Sequence, residues 1–325
     1  MNTKQKNPLV SFLLPVYNAE KFLTETLHSI IEQTYENFEV IAIDDGSSDG
    51  SLAILKKYSS FDPRIKVYSR ENRGLVRTLN EAIERSSGEL LARIDSDDLC
   101  VPNRIVWQVE AMNANCKAAL CYGYFEIFSE EGEFITKEFR HSQQEDIKRW
   151  MYFSNPIAHA SVMLRKSLLP KDLYSGKVGP TEDFEFWTRL AAKHDFVCIR
   201  KVIMRYRINT SGIMHTIGQQ QHAHMKNNFE RYQQLVGDPQ PRSSRLIRER
   251  MKVYMNENIS TGLGPHFVRL LIENEIKLAT TCYSRNQKKV AIKIFINTMF
   301  SSKTGFKFCS RKITEIVKAK LLILS

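Results

Sequence analysis

Two acidic clusters stand about fifty residues apart in this chain. The first is Asp44-Asp45-Gly46-Ser47-Ser48-Asp49, the second Asp95-Ser96-Asp97-Asp98. Each directly follows an apolar run, over 38–43 and 89–94. Runs of that length, ended by polar turn residues, read as buried strands. The carboxylates then crowd at the carboxyl ends of two strands, where open α/β sheets bind ligands. Crowded carboxylates repel unless a cation or a polar ligand compensates them. One cluster alone is equally consistent with ordinary turn chemistry, since Asp, Ser and Gly are common loop formers. Two clusters at equivalent strand ends favour a site. A third acidic pair, Glu182-Asp183, opens a helical pattern. A carboxylate can act as a general base. Acids there also cap a helix and complement its dipole, and the two roles are compatible.

The elements that must position these acids alternate from the start. Strand patterns over 10–14, 38–43, 65–68 and 89–94 are separated by helical patterns over 19–33, 51–58 and 75–85, with a further helix over 102–113. Repeated β-α-β order implies a mainly parallel sheet covered by helices. The pattern then changes. A longer strand over 118–128, a turn over 130–133, a helix over 145–153, a strand over 161–164, a helix over 182–193 and a β-branched, aromatic run over 196–208 predict antiparallel strands at the sheet edge and a second cleft wall. Trp187 reads as a core anchor, because its helix must bury one face.

The 325 residues suffice for one large domain with an appendage. With 42% hydrophobic and 26% charged residues, the composition is that of a soluble globular protein. Charge is divided unevenly. Residues 1–215 hold 28 Lys+Arg against 29 Asp+Glu, and residues 216–325 hold 19 against 7. The six cysteines form no Cys-x-x-Cys pair and no zinc spacing, which suits a reducing cytosol. No apolar run reaches the roughly 18 residues of a spanning helix. The opening 17 residues lack a signal-peptide cleavage site and read as the approach to the first strand.

In order and spacing, Pro15-Val16-Tyr17-Asn18 and the two acidic clusters resemble the family 2 glycosyltransferases, as do Asn155-Pro156-Ile157-Ala158-His159 and Thr181-Glu182-Asp183-Phe184-Glu185-Phe186-Trp187. The resemblance covers roughly residues 8–210. It implies a GT-A fold: a Rossmann-like, mainly parallel sheet flanked by helices, here over 1–215. It also implies an inverting transferase that takes a hexose or N-acetylhexosamine from a nucleotide diphosphate sugar, UDP foremost, to a glycan or lipid-linked hydroxyl in bacterial surface polysaccharide assembly. By the resemblance, Pro15, Tyr17 and Asp45 hold the base. Asp95 and Asp97 form an Asp-x-Asp pair; Asp97 ligates the cation, and Asp95 takes the ribose or the metal's hydration shell. Asp98 beside them leaves the local assignment open. Asp183 is the base, with Glu182 the second choice. Hard carboxylate ligands suit Mg²⁺ or Mn²⁺, whereas thiolates or several histidines would suit zinc. Arg73 and Arg77 either approach the diphosphate or lie on a solvated helix face, and Arg93 shares that ambiguity. His159 is assigned to the acceptor pocket, although a lone His is usually structural. His215, also assigned to the acceptor pocket, stands in for a histidine that relatives often carry where this chain has Asn209.

Residues 216–325 read as a mostly helical, basic region carrying two Lys/Arg groups, the second interleaved with apolar residues. Basic amphipathic helices favour anionic membrane surfaces. The expectation is a cytoplasmic protein that docks peripherally at the inner face of the cytoplasmic membrane; an outer helical layer with a charged face is the competing account. Nucleic acid is not expected as a partner, since no nucleic-acid motif accompanies the charge. Two other functions remain open at this level. A metal-dependent nucleotidyltransferase would carry a Gly-rich, basic phosphate loop near the first strand, which residues 15–20 do not provide. A non-catalytic glycan- or membrane-binding relative would have little need of intact acidic clusters.

Overall fold

A computed structural model describes residues 7–138, 147, 151, 155–176, 181–208 and 235. The chain divides into two units, Met1–Pro239 and Gln240–Ser325, and every described residue falls in the first. The expected boundary at 215, the basic helical region and its membrane contact, Asn209 and His215, and most of the helix expected over 145–153 lie outside the described residues.

The first half alternates as predicted: β1 (Val10–Val16), α1 (Glu20–Ile31), β2 (Phe38–Asp44), α2 (Ser51–Phe61), β3 (Ile65–Ser69), α3 (Leu75–Arg85) and β4 (Leu90–Arg93). There follow β5 (Leu99–Cys100), α4 (Arg104–Ala114), β6 (Ala118–Phe128), β7 (Phe134–Glu138), β8 (Met163–Arg165), α5 (Glu182–Ala191) and β9 (Asp195–Arg207). The nine strands form one sheet in the order β3-β2-β1-β4-β8-β6-β9-β5, with β7 paired to β6. β3, β2, β1 and β4 run parallel, and β8 is antiparallel to both β4 and β6. β6 and β9 run parallel to each other, so the strands added at this edge are not uniformly antiparallel as expected. The short strands β5 and β7 were not predicted; two residues of β5 carry no periodicity to read.

Every residue of β1, β2 and β4 is buried, which explains their unbroken apolar runs. Side chains alternate between the two faces of a strand. Phe12, Leu14, Val40, Ala42 and Ala92 pack with Leu23 and Leu27 of α1, Leu55 of α2 and Ile105 and Val109 of α4. Leu13, Ile41, Ile43 and Leu91 pack on the other face with Leu79 and Ile83 of α3 and Phe184, Trp187 and Leu190 of α5. Odd-numbered residues of β2 and β4 thus face α3 and α5. Continued past the strand ends, this parity aims Asp45, Arg93 and Asp95 at the starts of those two helices.

β1 leads to β2 on one side and is flanked by β4 on the other, so the chain reverses its winding between β1 and β4. The crevice beyond their carboxyl ends is the topological switch point. Close approach at the opposite end seals the sheet. An added Cβ on Gly88 would lie 2.7 Å from Leu9 O and Ser11 N, both backbone atoms. Gly88→Ala is therefore expected to cost about 1–3 kcal/mol through overpacking. Gly176→Ala, whose nearest neighbour would be Val76 Cγ1 at 3.9 Å, serves as the control. Thermal unfolding followed by circular dichroism should show a lowered midpoint for the first only; equal midpoints would refute the packing argument.

Candidate active site at the sheet's switch point

Pro15 sits inside a central parallel strand, a position that normally excludes proline. Leu13 C=O accepts Ile94 N–H (3.3 Å) and Val16 C=O accepts Asp45 N–H (2.8 Å), so residue 15 faces the β4 side. The ladder with β4 ends at Leu13–Arg93. The N–H that Pro15 lacks would have pointed into the crevice, and no ladder bond is lost. Tyr17 follows with its side chain on the surface, 54% exposed. Asn18 then adopts φ 48°, which a short polar side chain tolerates. Its Oδ1 accepts Ser48 N–H (2.9 Å), and its own N–H donates to Ser47 Oγ (3.0 Å). Ala19 N–H donates to Ser51 Oγ (2.8 Å). These bonds lock the β1–α1 and β2–α2 loops together beneath Tyr17. Gly46 makes the second loop possible: φ is 75°, and a Cβ there would lie 2.7 Å from Asn72 N.

Asp44 and Asp45 are both buried, on opposite faces. Asp44 accepts Ser69 Oγ–H (2.8 Å) and Ser47 N–H (3.2 Å). Asp45 accepts the backbone N–H groups of Arg73 (2.8 Å) and Gly74 (2.9 Å) and pairs with the Arg70 guanidinium. Arg70 in turn donates to Glu81 Oε2 (2.7 Å) and Thr78 Oγ1 (2.9 Å). Asp45 therefore anchors the start of α3. An ionised carboxylate offers about four acceptor positions, so roughly one remains for a ligand. The side chains of Arg73, just before the N-cap of α3, and of Arg77, in its first turn, are exposed. The arginine that engages Asp45 is Arg70, which the sequence reading did not single out.

Arg93 is 2% exposed, not on a solvated face. Its two terminal nitrogens pair with both carboxylate oxygens of Asp95. Asp97 is half-buried. Asp98 is fully buried; its Oδ1 accepts Arg207 N–H (2.9 Å), while Oδ2 has no partner among the described residues. Burial, reinforced by Asp95 and Asp97, holds the Asp98 carboxyl well above the usual range. Of the acidic turn, Asp98 is thus a buried structural acid, and Asp95 and Asp97 are the two with solvent access.

The third acidic pair lies at the start of α5. Asp183 Oδ2 accepts Asn155 Nδ2–H (2.7 Å), and Oδ1 accepts Phe184 N–H (2.6 Å). Burial raises the Asp183 carboxyl, and these two donors oppose the rise. Burial and the neighbouring Asp183 push Glu182 up to about 7; Asp95 adds to this and Arg93 opposes it. Arg93 also acts electrostatically on Asp183, His159 and Tyr174. The end of β4 and the start of α5 therefore share one electrostatic site, with Arg93 at its centre. His159 Nε2 is 3.0 Å from Tyr174 Oη, and Nδ1 is 3.9 Å from Glu182 Oε1. Burial, then Arg93, drives the His159 pKa well below its ordinary value, so the ring is neutral at pH 7. Trp187 is fully buried and meets His159 edge-on at 5.6 Å, the core anchor expected of it. Asn80 clamps the Tyr174 backbone from α3, with bonds of 2.9 and 3.0 Å.

The Glu182 shift carries a stability consequence. Between the ordinary value of 4.5 and about 7, the folded state binds this proton more tightly than the unfolded chain. Stability contributed by the group is thus present below the unfolded pKa and is lost as pH rises through that window. The loss is on the order of 2 kcal/mol. Glu182→Gln removes it, so the variant's melting midpoint should gain on the wild type by several degrees from pH 5 to 7.5. Parallel pH profiles for the two proteins would contradict the assignment.

Comparison with known proteins agrees with this architecture. Residues 11–172 match the model of "Glycosyl transferase family 2". An uncharacterized glycosyltransferase of Haemophilus influenzae is 32% identical over 213 residues, which are 62% of this chain and 66% of that protein. The O-antigen biosynthesis glycosyltransferase WbnJ of Escherichia coli is 32% identical over 184 residues, 56% of this chain and 71% of WbnJ. Among solved structures, S. aureus TarS 1-349 in complex with UDP-GlcNAc superposes with a TM-score of 0.58 over 83% of this chain and 80% of that one, at 18% identity, a likeness of fold. The sheet, its switch point and these relatives lead to one conclusion: the chain belongs to glycosyl transferase family 2 and is a glycosyltransferase of the GT-A fold.

Proposed function

We propose that this glycosyltransferase is inverting and metal-dependent. It moves a hexose or N-acetylhexosamine from a nucleotide diphosphate sugar, with UDP as the nucleotide, to a hydroxyl of a glycan or lipid-linked acceptor in surface polysaccharide assembly. The observation that carries this reading is the meeting of Asp95, Glu182 and Asp183 around Arg93 beside the switch point. The O-antigen role in the name of WbnJ and the UDP-GlcNAc bound to TarS support the substrate class.

Each residue has a task in this reading. Tyr17, exposed at the crevice, covers the base ring, with Pro15 beneath it. Asp45 offers its remaining acceptor position to the base imide N–H. The exposed Arg73 and Arg77 reach toward the diphosphate. A divalent cation fits the acidic turn by donor chemistry: Asp97, half-buried beside Asp95, supplies a hard carboxylate oxygen with solvent access. Among the described residues no three Asp, Glu, His or Cys side chains converge into a preformed cage. Mg²⁺ or Mn²⁺ would take one or two carboxylates and complete the shell with phosphate oxygens and water. Asp97 would hold the cation, while Asp95, with both oxygens on Arg93, turns to the ribose or the hydration shell. Bound there, the cation would offset the charge that develops on the departing diphosphate.

Asp183 takes the proton from the acceptor hydroxyl as it attacks opposite the leaving group. Of the two adjacent acids, Asp183 has a donor on each oxygen, so it keeps the negative charge when the pair shares a proton. Glu182, raised to about 7, holds that proton. Neutral His159, fixed by Tyr174, borders the acceptor side.

The test is nucleotide release by the purified protein across the common nucleotide sugars, with Mn²⁺ or Mg²⁺ present and then chelated. UDP release that needs the cation is the expected result; none from any UDP-sugar would overturn the donor reading. Asp183→Asn should bind UDP-sugar within about threefold of wild type and lose about 10²–10⁴ in turnover. Normal turnover in that variant would move the base elsewhere.

A further inference from the structure

We infer that Arg207 and Thr26 form a clamp that positions Asp97 for the metal, although neither residue touches donor or cation. The inference deepens the metal-dependent reading above and rests on it. Arg207 is the last residue of β9 and is 2% exposed. Its Nε donates to the backbone carbonyl of Asp97 (2.8 Å), and its N–H donates to Asp98 Oδ1 (2.9 Å). Nη2 pairs with Glu25 Oε2 of α1 (2.9 Å), and Nη1 donates to Glu130 O, in the turn after β6 (3.3 Å). The guanidinium carbon lies 4.4 Å from the ring centre of Phe22 and 4.5 Å from that of Phe128. The fork is therefore fixed in position by elements far apart in the chain.

Thr26, fully buried on α1, holds the same turn from the other side. Its Oγ1 lies 3.0 Å from Ser96 O and 2.9 Å from Asp98 O. Asp98 N–H closes the turn on Asp95 O (3.3 Å). The turn's own bond holds the Asp95 carbonyl, Arg207 holds that of Asp97, and the single Thr26 hydroxyl hydrogen is shared between those of Ser96 and Asp98. A turn gripped this way has its carboxylate direction set before any ligand arrives, which lowers the cost of binding. Lysine could replace one of the Arg207 bonds but not the planar fork.

The experiment uses the full chain, with UDP and Mn²⁺ as probes. Free Mn²⁺ is read by electron paramagnetic resonance at saturating UDP, and melting midpoints are taken alongside. Arg207→Gln should weaken Mn²⁺ binding about 10–100-fold, the usual effect of removing a residue that orients a metal ligand. Arg207→Lys should fall between it and the wild type. Thr26→Val keeps the side chain's shape and loses only the hydroxyl; it should shift the same affinity in the same direction. Asp97→Ala sets the scale for a lost ligand. Wild-type Mn²⁺ affinity in folded Arg207→Gln would overturn the clamp. Should that variant not fold, unchanged affinity in Thr26→Val overturns it instead. A wild-type protein whose UDP and Mn²⁺ bind independently would bring down the metal reading and the clamp together. Coupled binding in the wild type with unaffected clamp variants would bring down the clamp alone.

Discussion

Like-charge repulsion is the constraint around which this site is built. Acids from three separate stretches of chain gather at one end of one sheet, several of them largely buried. Two such charges about 4 Å apart repel by roughly 4 kcal/mol at the effective dielectric of a protein surface. The fold answers with a buried or half-buried arginine at two of the three stretches. Arg70 pairs with Asp45 and Arg93 with Asp95, while Arg207 holds the turn through its backbone N–H on Asp98 Oδ1 and its Nε on the Asp97 backbone carbonyl. Each guanidinium offers several donors in a fixed plane, so it neutralises and orients at once. Where no arginine bonds directly, as at Glu182 and Asp183, the carboxyl groups rise toward neutrality.

That uneven compensation divides the labour among chemically similar residues. Asp45 is tied down by three donors and acts first as an anchor for α3. Asp98 is sealed in the core and shapes the turn. Asp97 keeps solvent access on a turn whose backbone is fixed. Glu182 and Asp183 sit in a drier wall with neutral His159, Tyr174 and Trp187 behind them. In the proposed transfer a cation would sit with the first group and a proton with the second.

Much of this was legible in the chain. The parallel strands announced themselves as unbroken apolar runs because both sheet faces are covered. The helices carried one apolar face each, and every acidic cluster ended a strand or opened a helix. Trp187 was rightly read as core. The arginines were harder. Arg93 was open between a diphosphate contact and a solvated charge, yet it stands two residues before Asp95 at the end of a fully buried strand. That spacing puts both on one face, and a charge inside an apolar run is itself a sign of a buried partner. Arg70 and Arg207 offered no such sign, because their partners lie 25 and 109–110 residues away.

Local periodicity and short motifs were enough for the order of the longer elements, the family, and which acids stand at strand ends. The sequence also contained, through the two-residue repeat of a strand, the face on which Asp45, Arg93 and Asp95 would emerge. Only the tertiary structure decided which arginine meets which acid, which carboxyl groups are dry enough to hold a proton, and that β6 and β9 run parallel at the far edge. Those outcomes depend on pairs of residues brought together across long loops. Burial and charge at such contacts are properties of the packed chain, and no window of neighbouring residues records them.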